Sequence, residues 1–190
     1  DIDLQLTTAV TGIDTANRAV TTAAGRSFPF DRLLIATGAE PVRLPIPGAD
    51  QPHVFTLRSF ADSRAIVARA GTAKSAVILG SGFIGLEVAA ALRERGLAVH
   101  VVSLDERPLE KVLGPQLGDF IRDLHEDHGV SFHMSTSFTA ISDTTVTLND
   151  GTVLPADLVI IGVGVRPRTA LAEAAGFAVE IVFDAVPGAV

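Results

Sequence analysis

Residues 75–105 constrain this chain more than any other stretch. A short run without polar alternation, Ala76-Val77-Ile78-Leu79, passes directly into Gly80-Ser81-Gly82-Phe83-Ile84-Gly85. An alanine-rich segment follows, and residues 97–102 form a second apolar run that ends in Ser103-Leu104-Asp105-Glu106. An uninterrupted apolar run of this length predicts a parallel strand buried on both faces, and a glycine turn followed by a helix predicts a βαβ unit. The three glycines fit the G-x-G-x-x-G spacing. Gly80 would allow the tight turn, Gly82 the approach of an anion to the backbone, and Gly85 close packing of helix on strand. The helix is expected over residues 83–95, with Gly96 as its stop. It carries no acid before Glu87, so its first amides and positive dipole end are left for a phosphate. Asp105 lies twenty residues beyond Gly85, the distance at which a carboxylate commonly meets the ribose hydroxyls of NAD.

Membrane insertion fails on the same stretch. Ser81, the glycines and Glu87 interrupt its apolar residues, and Arg93-Glu94-Arg95 closes it before a span of about twenty is reached. A net charge of −7 leaves no electrostatic footprint for nucleic acid or an anionic bilayer. With no cysteine among its 190 residues the chain has no disulfide, thiolate metal site or cysteine nucleophile, and it is compatible with the reducing cytoplasm. The chain opens without Met on Asp1-Ile2-Asp3-Leu4-Gln5-Leu6, a period-2 strand pattern already under way, and is read as a fragment.

Around the central unit, residues 1–38 predict a β-meander: the alternating start, a run at residues 18–22, the turn Ala24-Gly25-Arg26 and a segment at Phe28. Leu33-Leu34-Ile35-Ala36 reads as a further buried strand ending in Thr37-Gly38. Pro41, Pro45 and Pro47 mark a crossing between domains. Residues 59–70 predict a helix with Ser59 as N-cap, Asp62 in its first turn, and Ile66 and Val67 on its buried face. A second, amphipathic helix begins near Pro115, with Leu117, Phe120, Ile121 and Leu124 at 3,4 spacing and Gly129 as its stop. His125 and His128, three apart in its last turn, suit the helix dipole better than a metal. Short β runs from Phe132 onward, with Asn149-Asp150-Gly151 as a hairpin turn, predict an antiparallel insert. Leu158-Val159-Ile160-Ile161 returns to the buried parallel pattern and ends at Gly162-Val163-Gly164, which either borders the same crevice as the first glycine turn or only ends a strand. Arg166-Pro167-Arg168 makes a second crossing, followed by a helix at residues 169–175 and a strand at Ile181-Val182-Phe183.

Taken together, Leu33-Leu34-Ile35-Ala36-Thr37-Gly38-Ala39-Glu40-Pro41, the run ILGSGFIGLEVAAA at residues 78–91, Arg107-Pro108-Leu109 and Gly162-Val163-Gly164-Val165-Arg166-Pro167 resemble the pyridine nucleotide-disulfide oxidoreductase superfamily. The run SLDERPLEKVLGPQLGDFIRDLHEDHGV looks most like its ferredoxin reductase and apoptosis-inducing-factor-like branch. The resemblance implies an α/β fold in which a Rossmann-like NAD-binding domain, a parallel sheet with an antiparallel β insert, is flanked by parts of a FAD-binding domain. Residues 1–46 and 168–190 would be the FAD-domain parts, and residues 47–167 the NAD(P)-binding domain. That family's N-terminal FAD fingerprint and its later flavin-contacting Gly-Asp motif are absent from these residues. Val186-Pro187-Gly188-Ala189-Val190 resembles the lead into that motif, with Ala185 closer to Ile181 than the family pattern would place it.

By the same resemblance Gly80, Gly82, Phe83, Ile84 and Gly85 would cradle the dinucleotide, with Gly162, Val163 and Gly164 across the crevice. Glu87 would lie near the nicotinamide, or is only an acid suited to a helix start. Thr37 and Gly38 would touch FAD. The family often ends the second strand in Val-Val-Glu, whereas Val101-Val102 is followed here by Ser103, so the ribose carboxylate would come from Asp105 or be missing. Lys111 and Arg107 would lie near the adenosine and tolerate a 2′-phosphate. NAD(H) is the favoured ligand with NADP tolerated, and FAD belongs to the complete protein.

The implied activity is hydride transfer from NAD(P)H to flavin, with electrons passed to a ferredoxin or a Rieske-type iron–sulfur acceptor. No residue reads as an acid–base or nucleophilic catalyst, and the fragment alone is expected to be inactive. Two other readings remain at this point: an NADH-binding sensor or interaction module without turnover, and a methyltransferase using the glycine turn, which the Ala-Thr-Gly and Gly-Val-Gly-Val-Arg-Pro segments disfavour. No oligomeric state follows from the sequence.

Overall fold

A computed structural model describes residues 2–180. The chain divides into two compact units. One is Pro41–Val165, and the other comprises residues 2–40 with residues 166–180.

Within the larger unit, a parallel sheet is built from β5 (Val54–Phe55), β6 (Ser75–Leu79), β7 (Ala98–Val102), β8 (Val130–His133) and β12 (Leu158–Ile161), in the spatial order β5-β12-β6-β7-β8. Every residue of β6 and β12 is buried. The reason is that both faces are covered, so successive side chains enter two different cores. Ala76 and Ile78 join Val99, Val101, Leu158 and Ile160 against Ile66 and Ala70 of α1 (Phe60–Ala70) and Val88, Ala89 and Leu92 of α2 (Phe83–Glu94). Val77 and Leu79 join Val102, Val159 and Ile161 on the other side. That second core is closed by an antiparallel sheet of β9 (Phe138–Ile141), β10 (Thr145–Leu148) and β11 (Val153–Pro155), ordered β11-β10-β9. The β10–β11 turn is the expected one: Gly151 has φ +86°, and the Thr152 amide donates to Asp150 Oδ1 at 2.9 Å.

The helices start and stop where their chemistry dictates. Ser59 caps α1 through a reciprocal box, its side chain accepting from the Asp62 amide at 3.2 Å while Asp62 Oδ2 accepts from the Ser59 amide at 2.7 Å. Val67, expected on the buried face, is exposed, and Ile66 and Ala70 make the contact instead. After the single turn α3 (Glu110–Leu113), α4 (Pro115–Asp127) begins with proline in its first turn. It lies beside β8, with Gly118 buried and the His125 ring packed edge-on to Phe132 at 6.1 Å. Leu117, Phe120 and Leu124 of its apolar ridge are exposed.

Asp157 ties the starts of two central strands together. Its Oδ2 accepts from the Lys74 amide at 2.8 Å and from the Ser75 amide and hydroxyl at 3.1 Å each, and the backbone amides hold its carboxyl below the usual range. Nothing in its local sequence signals this role.

The smaller unit holds the expected meander, β1 (Val10–Asp14), β2 (Ala19–Thr22) and β3 (Ser27–Pro29), in order β1-β2-β3. It also holds α5 (Ala170–Ala174), and the short strands β4 (Ala39–Pro41) and β13 (Val165–Pro167) run across the two boundaries.

Three expected strands differ. The opening alternation makes no strand: a turn at Leu6 and Thr7 interrupts it, with Thr7 at φ +51°, and Ile2 is 93% exposed. Residues 33–36 are not a strand either, and Leu34 is 87% exposed, because no described strand pairs with them. An apolar run becomes a parallel strand only where a neighbour takes up its backbone hydrogen bonds. Phe132 belongs to β8, which pairs in parallel with β7 (Val101 opposite Phe132), not to the antiparallel insert. The expected strand at Ile181-Val182-Phe183 and the run at residues 186–190 lie outside the described residues.

His53, just before β5, is buried, and its Nε2 has no hydrogen-bond partner. Burial first, then the Arg69 charge, pushes its imidazole below its ordinary value of 6.5, and burial does the same for His100, whose Nδ1 lies 3.1 Å from His133 Nε2. The unfolded chain therefore binds more protons than the folded one once the pH falls below about 6.5. Stability is expected to be full above that value and to decline below it, with a limiting slope of about 1.4 kcal/mol per pH unit for each imidazole. Urea midpoints at pH 7.5, 6.5 and 5.5 measure the decline, and His53→Leu should flatten it.

Candidate functional site

The carboxyl ends of β6, β7 and β12 open into one cavity of about 620 Å³. In an open parallel sheet this is where a crevice forms, because neighbouring connections leave in opposite directions. Here β6 leads through α2 to β7 on one side and is paired with β12 on the other.

The first wall is the glycine turn. Gly80 has φ +112°, its amide donates to Val102 O at 2.8 Å, and a Cβ there would lie 2.3 Å from Gly162 O. A Cβ on Gly85 would lie 2.1 Å from Gly80 O. Backbone itself occupies the space at both positions, so any side chain would displace the chain. Gly82 differs. Its φ is −80°, any residue could adopt its conformation, and a Cβ would meet nothing within 4 Å. The space beside it is the cavity, and it is the N-cap of α2 with no side-chain cap and no acid in the first turn. A cradle open to added atoms beside unsatisfied helix amides fits a phosphate group.

Residues 162–164 form the opposite wall. Gly162 follows β12 with its amide donating to Leu79 O at 2.7 Å, so the two glycine turns are held backbone to backbone. The third wall begins at Ser103, which is buried. Its Oγ accepts from Ser81 Oγ at 2.9 Å and from the Asp105 amide at 3.2 Å. Asp105 Oδ1 pairs with Lys111 Nζ at 2.9 Å. Leu109, at φ +54°, returns the loop so that its amide meets Ser81 O at 3.2 Å.

Of the residues singled out by sequence, Gly80, Gly82, Ser103, Asp105, Lys111, Gly162, Val163 and Gly164 line this cavity. Gly85 is buried beneath the turn. Phe83, Ile84 and Glu87 are exposed on α2 and are not among the lining residues. Arg107 also stays out of it, held by Asp119 at 3.0 Å, Glu110 at 3.1 Å and Glu106 at 3.2 Å. Thr37 and Gly38 belong to the smaller unit, where the Thr37 hydroxyl donates to Arg168 O at 2.7 Å and Gly38 O accepts from the Arg168 amide at 2.9 Å.

Several lining residues had no sequence signal of their own. Leu44, Pro45 and Ile46 come from the proline-rich crossing, and Ser137, Phe138 and Asn149 from the antiparallel insert. They reach the cavity only because the insert folds over the sheet. The crossing is docked there by the Ile141 amide donating to Pro47 O at 2.9 Å. Ser81 did have a signal, its place inside the glycine turn.

The fold and cavity together define a Rossmann-like α/β domain carrying an antiparallel β insert. The family model for pyridine nucleotide-disulphide oxidoreductase matches residues 1–185, and the chain belongs to that family.

It is similar to the rhodocoxin reductase of Rhodococcus erythropolis, 38% identical over 159 residues, which cover 81% of this chain and 37% of that protein. The ferredoxin reductase subunit of the 5,5'-dehydrodivanillate O-demethylase of Sphingobium sp. is also 38% identical, over 88% of this chain and 42% of that protein. Among solved structures, the ferredoxin reductase for the CYP199A2 system from Rhodopseudomonas palustris superposes with a TM-score of 0.89 at 36% identity, covering 92% of this chain and 45% of that one. The ferredoxin reductase and apoptosis-inducing-factor-like branch indicated by residues 103–130 is the branch these relatives represent, and apoptosis-inducing factor 3 of Mus musculus is 31% identical over 94% of this chain. Flavin and pyridine nucleotide are the cofactors of this family and its neighbours. The chain spans about two fifths of the length of the first two relatives.

Proposed function

We infer that residues 47–167 bind NAD(P)H for a FAD-dependent reductase that passes electrons to a ferredoxin or a Rieske-type iron–sulfur acceptor, with residues 1–46 and 168–190 as parts of its FAD-binding domain. The observation that carries this reading is the single cavity where the glycine turn, residues 162–164 and residues 103–105 converge at the carboxyl ends of three parallel strands. Held in this cavity, the nucleotide would supply hydride for a flavin.

The chain's own share is placement. The first-turn amides of α2 and the open space over Gly82 receive the pyrophosphate, Ser103 and Asp105 receive the adenosine ribose, and the apolar side chains of Leu44, Ile46, Leu109 and Val163 exclude water. Thr37 and Gly38 are assigned to the flavin side by the family resemblance. We place the protein in the cytoplasm, where a chain without cysteines has no disulfide to lose; among the described residues no helix is long and apolar enough to cross a membrane.

The test is NADH-driven reduction of a ferredoxin, or of a dye, by the FAD-loaded full-length protein. Turnover with saturable NADH dependence is expected. NADH binding without turnover would instead favour a sensor or interaction module, and no binding would remove both.

A further inference from the structure

We propose that His100 and His133 form a binding site for a divalent transition ion, Zn²⁺ or Cu²⁺, on the insert-facing side of the parallel sheet. The site is separate from the nucleotide cavity and does not rest on the function proposed for it.

Strand geometry is the first argument. Val99 and Val101 of β7, with Val130 and Phe132 of β8, turn toward the core on the helix side of the sheet. Side chains alternate along a strand, so His100 and His133 both turn to the opposite face. In the parallel pairing His133 stands opposite Val102, two residues beyond His100, and the rings meet diagonally across the strands. His100 Nδ1 lies 3.1 Å from His133 Nε2, with the ring centroids 5.3 Å apart and the planes tilted by 42°. Two imidazole nitrogens bonded to a tetrahedral zinc ion at its usual bond length stand about 3.3 Å apart. In the tetragonal arrangement suited to Cu²⁺, neighbouring nitrogens at that bond length stand about 2.9 Å apart. The observed spacing falls between these, so a small swing of the rings turns both lone pairs toward one ion. Both ligands are carried by strands of one sheet, which fixes their separation before any ion arrives.

Donor chemistry is the second argument. The two rings are half-buried, which leaves solvent access. Among the described residues no group of three or more histidines, cysteines or carboxylates comes together for a metal, so water would complete the coordination. Imidazole suits zinc and copper, whereas Mg²⁺ and Ca²⁺ take oxygen ligands. Burial, and then the neighbouring ring, push the His100 imidazole below its ordinary value of 6.5, which favours the neutral base a metal needs. Asp150, in the β10–β11 turn, interacts electrostatically with His133 and would offset part of the ion's charge. Without an ion, one ring donates to the other from its facing nitrogen. On binding, that proton moves to the outer nitrogen of the same ring and none is released. The other histidines are placed differently: His125 and His128 each donate from Nδ1 to the carbonyl four residues back, at 2.9 and 2.8 Å, and His53 is buried.

The consequence is a clamp. β8 is the edge strand of the sheet, and His133 O accepts from the Ser103 amide at 3.0 Å. An ion shared by the two rings would fasten that edge to β7 next to the wall formed by Ser103.

The test is titration of the full-length protein with Zn²⁺, Cu²⁺ and Mg²⁺, read by calorimetry and thermal melts, with pulsed electron paramagnetic resonance of the Cu²⁺ form. Zn²⁺ and Cu²⁺ should bind with dissociation constants below about 100 μM, Cu²⁺ the tighter, and Mg²⁺ should not bind. At about a hundredfold excess over the dissociation constant, the melting temperature should rise by about 5 °C or more. The resonance should count two imidazole nitrogens on Cu²⁺. His133→Gln and His100→Asn should each weaken binding by at least about tenfold, and the double variant His125→Gln/His128→Gln should leave it unchanged. Affinity weaker than about 100 μM for both ions, fewer than two imidazole nitrogens, unchanged binding by His133→Gln, or loss of binding in the His125→Gln/His128→Gln variant would each overturn the proposal. The nitrogen count on the unsubstituted protein and the His125→Gln/His128→Gln control decide the matter even where a strand variant does not fold.

Discussion

Gly82→Glu should abolish NADH binding, weakening it by at least about a hundredfold, while the melting temperature stays within a few degrees of the parent. Gly82 has φ −80° and its missing Cβ points into open cavity, so glutamate fits the fold without strain. What the substitution changes is the ligand's place. A carboxylate would occupy the volume proposed for the pyrophosphate and claim the first-turn amides of α2, which are free of side-chain caps. Repulsion and lost hydrogen bonds each contribute on the order of 1–3 kcal/mol, and about 2.7 kcal/mol is a hundredfold. Calorimetric titration beside a thermal melt reads both halves. Tight binding retained by the variant would remove the pyrophosphate from this turn.

Gly85→Val should give the opposite pattern, a loss of several kcal/mol in stability, enough to leave the larger unit unfolded at ordinary temperature. The added Cβ would stand 2.1 Å from Gly80 O and 3.1 Å from Gly80 C, and neither atom belongs to a side chain that can rotate away. Helix α2 would have to lift from β6, uncovering Ile78, Ala89 and Leu92, and overpacking against backbone costs more than the about 1–3 kcal/mol found for side-chain crowding. Urea denaturation followed by circular dichroism measures it. On the proposed reading the same motif contains one glycine required by the ligand and one required by the fold, and the two variants separate them.

The βαβ unit was legible because each of its parts carries its own local signal. Uninterrupted apolar residues at 76–79 and 158–161 mean two covered faces, and Ser59 with Asp62 writes its own helix start. Pairing is not written locally. Leu33-Leu34-Ile35-Ala36 has the composition of a core strand and is not one, and Phe132 looked like part of an antiparallel insert but stands opposite Val101 in the parallel sheet. Which strand lies beside which depends on residues far away in the chain, and period-2 alternation is the same for an edge strand of either sense.

Motif spacing indicated that open space lies beside the backbone of Gly82 and that an acid stands near the end of β7. Tertiary structure alone decided the rest of the cavity: that Gly162 presses on Gly80, that Leu44, Pro45 and Ile46 leave their crossing to wall the site, and that Arg107 is spent on Asp119 and Glu110 while Lys111 faces Asp105. The division has a physical cause. Backbone conformation and burial are set by near neighbours in sequence and survive as spacing, whereas the charge and shape of a cavity depend on side chains that meet only after the sheet has assembled.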